Sequence, residues 1–337
     1  MNVHGIIKET SFWGLQVKDP NATRFSTAIT SIAPKPMIMK TINQNRTLPK
    51  VASRFDLGRM VNDGLVFRQN IYVRSYEVGP EQTTSIETIM NYLQETSLNH
   101  LKSIGILHDG FGSTLEMCRK NLIWVMAKMQ VVVDRCPTWG DVVEIDTWKA
   151  ASGKTGMCCN WLFRDCKTGE ILIRASSIWV MMNKETRRLS KFPYEVRAEL
   201  EQHFLDTPPL VNQDAIKWSK HDQNIVDHVC NGLTPSWSDL DINRHVNNVK
   251  YTGWVLQSVP EVVMENYELV SMALEYCREC TKNSVLESHT FVNGSNSLEV
   301  ADCNHVDCQH LLQLEGIGGN GEMIMKASSR WRPKHAS

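Results

Sequence analysis

The apolar residues of the first half of the chain change their spacing in a way that predicts one helix followed by several strands. Residues 65–77 are rich in β-branched and aromatic side chains, which favours a strand. In residues 84–104 apolar side chains return every three or four positions, and Thr84 and Glu87 match a capping box at the start of that helix. Gly105 is typical of a helix end. Further strands are predicted at residues 122–134, 141–149, 157–165 and 171–182.

The second half of the chain repeats this order. A helix is predicted over about 247–259, where Pro260 ends it. Residues 174–179 (RASSIW) resemble residues 326–331 (KASSRW), which suggests a duplication. A sheet curved around each helix would bury the apolar side of that helix, so we predict an α+β fold of two tandem repeats. The strands of this half are predicted at about 269–279, 284–293, 297–302, 309–315 and 322–332.

The composition is that of a globular protein, with 42% hydrophobic and 22% charged residues. The 36 Lys and Arg residues almost balance the 37 Asp and Glu residues, which argues against a nucleic-acid partner. No apolar run approaches the ~18 residues of a membrane-spanning helix, so we expect no transmembrane segment. The ten cysteines follow no disulfide framework, and we expect reduced thiols.

The first fifty residues are basic and rich in hydroxyl groups, and Glu9 and Asp19 are their only acids. This composition is typical of an organelle transit segment, although a disordered tail explains it equally well. We therefore divide the chain into a transit-peptide remnant or disordered tail, a first repeat, a linker and a second repeat. These parts are residues 1–57, 58–205, 206–224 and 225–337.

One polar stretch, residues 237–248 (WSDLDINRHVNN), combines groups that could perform chemistry. Asp241, Asn243 and His245 alternate along it, so in an extended segment they would share one side. They precede a predicted helix, whose first backbone N–H groups could meet a carbonyl oxygen or an oxyanion. This set suits hydrolysis of an activated acyl group. The alternative is that Asp and Asn only cap the helix and His is a surface residue.

A second candidate pair lies near the end of a predicted strand. Glu279 could be a general base for water, and Cys280 could be a nucleophile if a histidine activated it. The alternatives are a solvated charge for Glu279 and a small buried hydrophobic residue for Cys280.

A cluster of Cys and His residues near the C-terminus has metal-like spacing. It is local, however, and alternation along neighbouring strand ends gives the same string, so we predict no metal site. No phosphate loop or dinucleotide fingerprint appears, and no cofactor is predicted. The cluster consists of Cys303, His305, Cys308 and His310.

From about Gly58 to Pro333 the chain resembles the plant and bacterial acyl–acyl carrier protein (acyl-ACP) thioesterases. The resemblance rests on LVFRQN, RSYEVG, IETIMNYLQETSLNH, DGFGST, PTWGDVVEIDTW, TRRLSK, HVNNVKY and RWRPK. These phrases look closest to the plant class that prefers saturated acyl chains (type B). The resemblance implies a double hot-dog fold, acyl carrier protein as partner, a plastid (chloroplast stroma) location and a possible homodimer. It also implies hydrolysis of fatty acyl-ACP, which releases free fatty acid and terminates chain elongation.

The resemblance also implies roles for the candidate residues. Glu279 and Asn243 would hold and activate water, while His245 and Asp241 would polarise the site. An older scheme for the family uses Cys280 as nucleophile with His245 and Asn243. We favour direct attack by water, because a thioester is already activated. The first repeat would house the acyl chain around the 84–104 helix, and the second would be catalytic.

Several residues depart from the family pattern. Cys158, Cys159 and Asn160 replace Arg-Arg-Asp, and Cys277 replaces Arg. We expect the Arg-to-Cys changes to remove positive charge that could pair with an acidic carrier protein. Cys136, Arg244 and Gln257 replace Tyr, Gln and Glu. Two other functions therefore stay open, an acyl-CoA thioesterase of the hot-dog class and a catalytically weakened acyl-binding paralogue.

Overall fold

The structure, a computed structural model, describes residues 58–108, 112–153, 156–212, 228–293, 305–316 and 321–334, all within the unit Arg54–Ser337. The predicted tail at residues 1–57, the predicted strand at 297–302, Cys303 and residues 213–224 of the predicted linker lie outside the described residues.

The described residues form one antiparallel sheet with helices packed against it. The strands are β1 (Arg59–Val61), β2 (Val66–Tyr72), β3 (Leu122–Val133), β4 (Val142–Ser152), β5 (Gly156–Asp165), β6 (Ile171–Asn183), β7 (Leu189–Ser190), β8 (His228–Leu233), β9 (Tyr267–Tyr276), β10 (Leu286–Asn293), β11 (Val306–Leu314) and β12 (Met323–Pro333). The helices are α1 (Ile86–Ser103), α2 (Leu115–Arg119), α3 (Tyr194–Glu201), α4 (Asn248–Leu256) and α5 (Glu261–Asn266), with short 3-10 helices at Ser75–Glu77 and Trp237–Asp239.

The order of the strands shows the duplication. The sheet runs β1-β2-β4-β5-β6-β3-β9-β12-β11-β10-β8, and β7 pairs with β6. The first repeat (β1–β7 with α1–α3) contributes β2-β4-β5-β6-β3. The second repeat (β8–β12 with α4 and α5), followed from the opposite edge, gives the matching order β8-β10-β11-β12-β9. The two similar segments, 174–179 and 326–331, lie in β6 and β12, which occupy equivalent positions, as the sequence predicted.

The two repeats meet at the pair β3 and β9. Their antiparallel register sets Val131 opposite Met272 and Met129 opposite Leu274, so one sheet continues through both repeats. All four of these side chains are buried, and they belong to one hydrophobic core that both repeats share. The junction therefore fixes the two repeats against each other by burial as well as by backbone hydrogen bonds.

Helix α1 supplies the core of the first repeat. Its apolar stripe, which includes Ile89, Met90 and Leu93, is fully buried against the sheet. The helix begins one residue later than the predicted capping box, because the Ser85 hydroxyl, not that of Thr84, accepts the Thr88 N–H at 3.1 Å. It ends at Ser103, and Gly105 follows with φ +75°, the left-handed conformation predicted for that glycine.

Other boundaries also differ from the sequence prediction. The predicted helix at 247–259 is two helices, because α4 ends at Leu256 and α5 begins after Pro260. The predicted strand at 65–77 ends at Tyr72, and a 3-10 helix follows, in which the Glu77 carboxylate accepts the Arg74 N–H at 2.7 Å. The patterns missed α2, α3 and the edge strands β1 and β8, which are short and largely exposed. Among the described residues, no helix has the length and apolar character to span a membrane.

Candidate active site

The loop at residues 240–247 is a closed turn rather than an extended segment. The Asp241 N–H donates to the His245 carbonyl at 2.7 Å, and Arg244 adopts a left-handed φ of +63°. The Asp241 carboxylate accepts the backbone N–H groups of Asn243 at 2.8 Å and His245 at 3.0 Å. The expectation that alternation alone would align Asp241, Asn243 and His245 was therefore wrong. By accepting these two backbone N–H groups, the Asp241 carboxylate holds the loop in its closed conformation.

The loop is hydrogen-bonded to the segment that follows β9. This segment contains the second candidate pair, Glu279 and Cys280. The Val246 N–H donates to the Cys280 carbonyl at 3.1 Å, and the Asn247 side chain caps α4. This connection brings His245 beside Glu279, with 3.7 Å between the imidazole Nδ1 and the carboxylate Oε2. The two side chains are about a quarter and a third exposed (26% and 31%), so the pair lies at a partly sheltered surface.

A residue that the sequence did not single out completes this cluster. Arg187, in the turn between β6 and β7, makes a short ion pair from its Nη2 to Oε2 of Glu279. It lies 92 residues from Glu279 and in the other repeat, so no spacing along the chain could have indicated the contact. The only sequence signal was its place in the TRRLSK phrase that supports the family resemblance.

Cys280 lies close to this cluster but in an environment unsuited to a nucleophile. Its side chain is buried, with 1% exposed, and its backbone N–H donates to the Tyr251 hydroxyl at 2.9 Å. Burial raises the pKa of the Cys280 thiol to about 11, so the thiol is protonated at neutral pH. The thiolate is the reactive form of cysteine, and burial disfavours it here.

Asp241 and Asn243 lie on the wall of a cavity of about 270 Å³, while His245 and Glu279 are not among its lining residues. The cavity extends over the inner face of α1 to β3, β5 and β6, so the first repeat supplies most of its wall and the second repeat supplies one end. The residues of the first repeat on this wall include Gln94, Ser97, Leu98, Leu101, Ile123, Trp124, Met157, Cys159 and Trp179. Asn248, the first residue of α4, also lines it.

The first repeat contains a loop of the same shape without the same chemistry. An isolated β-bridge closes each loop, Val78–Thr84 in the first repeat and Leu240–Val246 in the second. Two residues before the end of each loop, Gln82 and Arg244 have a positive φ. In the first repeat the Thr84 N–H donates to the carbonyl of Pro137 at 2.8 Å, as the Val246 N–H does to that of Cys280.

This equivalence identifies the counterparts of the candidate residues. Gly79, Glu81 and Thr83 stand where the second repeat has Asp241, Asn243 and His245, and Cys136 stands in the place of Glu279. Burial raises the pKa of the Cys136 thiol to about 11. The imidazole and the carboxylate therefore occur together only in the loop of the second repeat, of the two equivalent loops.

The departures at residues 158–160 are inside the protein. Cys158, Cys159 and Asn160 are each at most 1% exposed. The expectation that the changes at 158 and 159 remove surface charge for a carrier protein was wrong for these two positions. Only Cys277 among the Arg-to-Cys positions is exposed.

The interior next to Cys159 contains an unusual basic pair. Lys149, opposite Cys159 in the β4–β5 register, is fully buried, and its Nζ lies 3.2 Å from His100 Nδ1. Burial lowers the pKa of Lys149. Burial and the nearby Lys149 lower the pKa of His100 to about 2, so this histidine is neutral in the folded protein.

In the described part of the Cys and His cluster, His310 is hydrogen-bonded to side chains of the neighbouring strands. Thr290 Oγ1 and Ser329 Oγ lie 2.8 Å from the two ring nitrogens of His310, which is fully buried. Cys303 lies outside the described residues. Within the part of the chain that the structure describes, no three His, Cys, Asp or Glu side chains are grouped as metal ligands, and no cysteine is in a disulfide.

Models of the acyl-ACP thioesterase family match the chain in two parts, the N-terminal domain at residues 64–200 and the C-terminal domain at residues 222–333. The chain is 56% identical to the chloroplastic palmitoyl-acyl carrier protein thioesterase of Gossypium hirsutum over 85% of this chain and 68% of that protein. It is 51% identical to the chloroplastic dodecanoyl-[acyl-carrier-protein] hydrolase of Cinnamomum camphora, over 80% of this chain and 69% of that protein.

Solved structures show the same relationship. The 12:0-ACP thioesterase from Umbellularia californica matches with a TM-score of 0.74 and 50% identity, over 80% of this chain and 95% of that chain. An acyl-ACP thioesterase from Bacteroides thetaiotaomicron, at 18% identity and a TM-score of 0.62, shares the fold. The α+β double hot-dog fold and the resemblance to the plant enzymes are both confirmed, and the chain belongs to the acyl-ACP thioesterase family.

Proposed function

We propose that this member of the family hydrolyses the thioester of fatty acyl-ACP, releasing free fatty acid and terminating chain elongation in fatty acid biosynthesis. The observation that carries the proposal is that the 240–247 loop, whose Asp241 and Asn243 line one end of a cavity, also holds His245 3.7 Å from Glu279. The names of the plant relatives, which specify acyl carrier protein substrates and the chloroplast, support the same substrate and a plastid location.

In this mechanism Glu279 is the general base. Water attacks the thioester carbonyl while its proton passes to the Glu279 carboxylate, and Asn243 holds the water at the end of the cavity. The resulting oxyanion faces the N-terminus of α4, the positive end of the helix dipole, where Asn248 lines the cavity. Collapse of the intermediate breaks the C–S bond, and the proton on Glu279 passes to the leaving thiolate. The free fatty acid and the carrier thiol are then released.

The other residues support this step. His245, 3.7 Å from Glu279, stabilises charge that develops at the carbonyl, and Asp241 keeps the loop in shape through its backbone hydrogen bonds. The acyl chain lies in the cavity between α1 and the sheet of the first repeat, whose wall includes Leu98, Leu101 and Trp124. The division into domains at residues 58–205 and 225–337 and the homodimer stay predictions.

The first prediction separates the two candidate groups for the chemical step. Glu279→Gln should lower kcat by roughly 10²–10⁴, because the base is lost. Cys280→Ala should retain most activity, since its buried thiol is protonated at neutral pH. Thiol release from palmitoyl-ACP and dodecanoyl-ACP measures both, with the exposed residues Glu261→Gln and Cys277→Ala as matched controls. An inactive Cys280→Ala together with an acyl-enzyme detected by mass spectrometry would establish the nucleophile scheme instead.

The same assay decides between the carriers. We expect kcat/KM to be higher for acyl-ACP than for the matching acyl-CoA. A preference for acyl-CoA would favour the acyl-CoA thioesterase. Binding of acyl-ACP without thiol release would favour the catalytically weakened acyl-binding protein.

A further inference from the structure

The turn between β6 and β7 has a backbone that is held in one conformation. The Asn183 side-chain oxygen accepts the N–H groups of Glu185 at 3.1 Å and Thr186 at 2.8 Å, and the Arg187 N–H donates to the Asn183 carbonyl at 3.0 Å. Arg187 itself has a φ of +54°, a left-handed conformation that costs about 1–2 kcal/mol for a residue with a Cβ. Unfavourable backbone conformations of this kind persist where the surrounding structure fixes them, and they are concentrated at functional sites.

This turn delivers the Arg187 guanidinium to the candidate base of the other repeat. Its Nη2 contacts Oε2 of Glu279, the same oxygen that lies 3.7 Å from His245 Nδ1. The Arg187 guanidinium and the His245 imidazole thus face the same oxygen of the Glu279 carboxylate. Both contacts are made to Oε2, which leaves Oε1 as the oxygen assigned to the attacking water.

Two nitrogen atoms of the residues that face Glu279 are buried without a hydrogen-bond partner among the described residues. These atoms are Arg187 Nε and His245 Nδ1. An unsatisfied buried donor costs about 1–3 kcal/mol. The partly exposed ion pair by itself adds only about 0–1 kcal/mol to stability. The contacts of Arg187 therefore contribute little to the stability of the fold. Their geometry is suited instead to orienting the Glu279 carboxylate.

We infer that Arg187 is a positioning residue, which holds Oε2 of Glu279 so that Oε1 points at the attacking water. This inference rests on the proposed function of Glu279. The first repeat then contributes more than the acyl-chain cavity, because its β6–β7 turn completes the catalytic group of the second repeat. A base displaced by about 1 Å can lose on the order of 10²-fold in rate, so the expected effect of removing Arg187 lies in kcat.

The experiment compares neighbouring arginines. Arg187→Gln should lower kcat for acyl-ACP about 10- to 100-fold with a roughly unchanged KM and melting temperature, because only the orientation of the base is lost. Arg187→Lys should retain part of the activity, since it keeps the charge but loses the planar fork. Arg188→Gln removes the same charge from the adjacent exposed position and should behave as the parent protein. Added methylguanidinium should raise the activity of Arg187→Ala but not that of Glu279→Gln.

The outcomes separate this inference from the proposed function. Parental kcat in Arg187→Gln would contradict the positioning role, and so would a raised KM with unchanged kcat, which would mean that Arg187 binds the carrier. If Arg187→Gln does not fold, the test relies on Arg187→Lys. A parental kcat in Arg187→Lys would then contradict the positioning role. Absence of thiol release by the parent protein from any acyl-ACP would contradict the proposed function itself.

Discussion

At the residue scale, the contacts between the candidate side chains differ from those that their order along the chain indicates. The resemblance pairs Asp241 with His245 in polarising the site, but the Asp241 carboxylate accepts the backbone N–H of His245, and the His245 ring lies 3.7 Å from Glu279. The backbone contact does not depend on the imidazole. The ring can therefore be removed while the Asp241 hydrogen bond that shapes the loop is kept.

The second prediction follows from this separation. His245→Ala should fold with a near-parental melting temperature, because a partly exposed side chain of this kind contributes within about 0.5 kcal/mol. It should nevertheless lose most thioester hydrolysis, since charge at the carbonyl would no longer be stabilised. Differential scanning fluorimetry and thiol release measure the two effects, and His305→Ala, at an exposed position, is the control. Parental turnover by His245→Ala would show that the ring is not catalytic.

At the scale of elements, β11 contains a buried histidine that links three strands. His310 lies between Thr290 of β10 and Ser329 of β12, and burial lowers its pKa to about 3 from an ordinary value of 6.5. The folded protein thus keeps His310 neutral where the unfolded chain takes up a proton. Its contribution to stability is fully present above pH 6.5 and is lost as the pH falls from 6.5 towards 3.

The third prediction tests this pH dependence. In His310→Gln the free energy of unfolding should fall less steeply between pH 6.5 and about 4.5 than in the parent, by up to about 1.4 kcal/mol per pH unit. Urea titrations at several pH values measure the slopes. His100 contributes a slope of the same sign in both proteins, and His305→Ala should leave the parental slope unchanged. Equal slopes in the parent and His310→Gln would contradict the assignment.

At the scale of the whole molecule, the site exists because two repeats share one sheet. The β3–β9 junction sets the turn that holds Arg187 opposite Glu279, and it places the 240–247 loop at the end of a cavity built mainly by the first repeat. Duplication thus gave two equivalent loops, and only the second combines a histidine with a facing carboxylate. Among the described residues, the first repeat provides most of the cavity wall, and the second repeat provides the loop that holds Asp241, Asn243 and His245.

The fourth prediction concerns the N-terminal segment. Every described element lies between Gly58 and Lys334, within the unit that begins at Arg54. Deleting residues 1–50 should therefore leave the melting temperature and the acyl-ACP hydrolysis rate of the purified protein nearly unchanged. A large fall in melting temperature would show that this segment packs against the core.

The sequence by itself determined the type and order of most long elements and the identity of the candidate residues. Period-two and helical patterns encode burial locally, so β3–β6 and α1 could be predicted within a few residues. The polar stretch at 237–248, the Glu279–Cys280 pair and the resemblance to the family indicated Asp241, Asn243, His245 and Glu279. Short exposed elements such as α2 and β8 were missed because little apolar surface marks them.

Only the tertiary structure decided how these residues act together. The closed 240–247 loop, the burial of Cys158 and Cys159, and the contact between Arg187 and Glu279 depend on which strands are neighbours. Strand pairing joins residues far apart along the chain, and among the described strands the β3–β9 pair joins the two repeats into one sheet. A local sequence pattern does not indicate which distant residues become neighbours. The free energy that fixes these contacts comes from the shared core and from the hydrogen bonds between the strands of the two repeats.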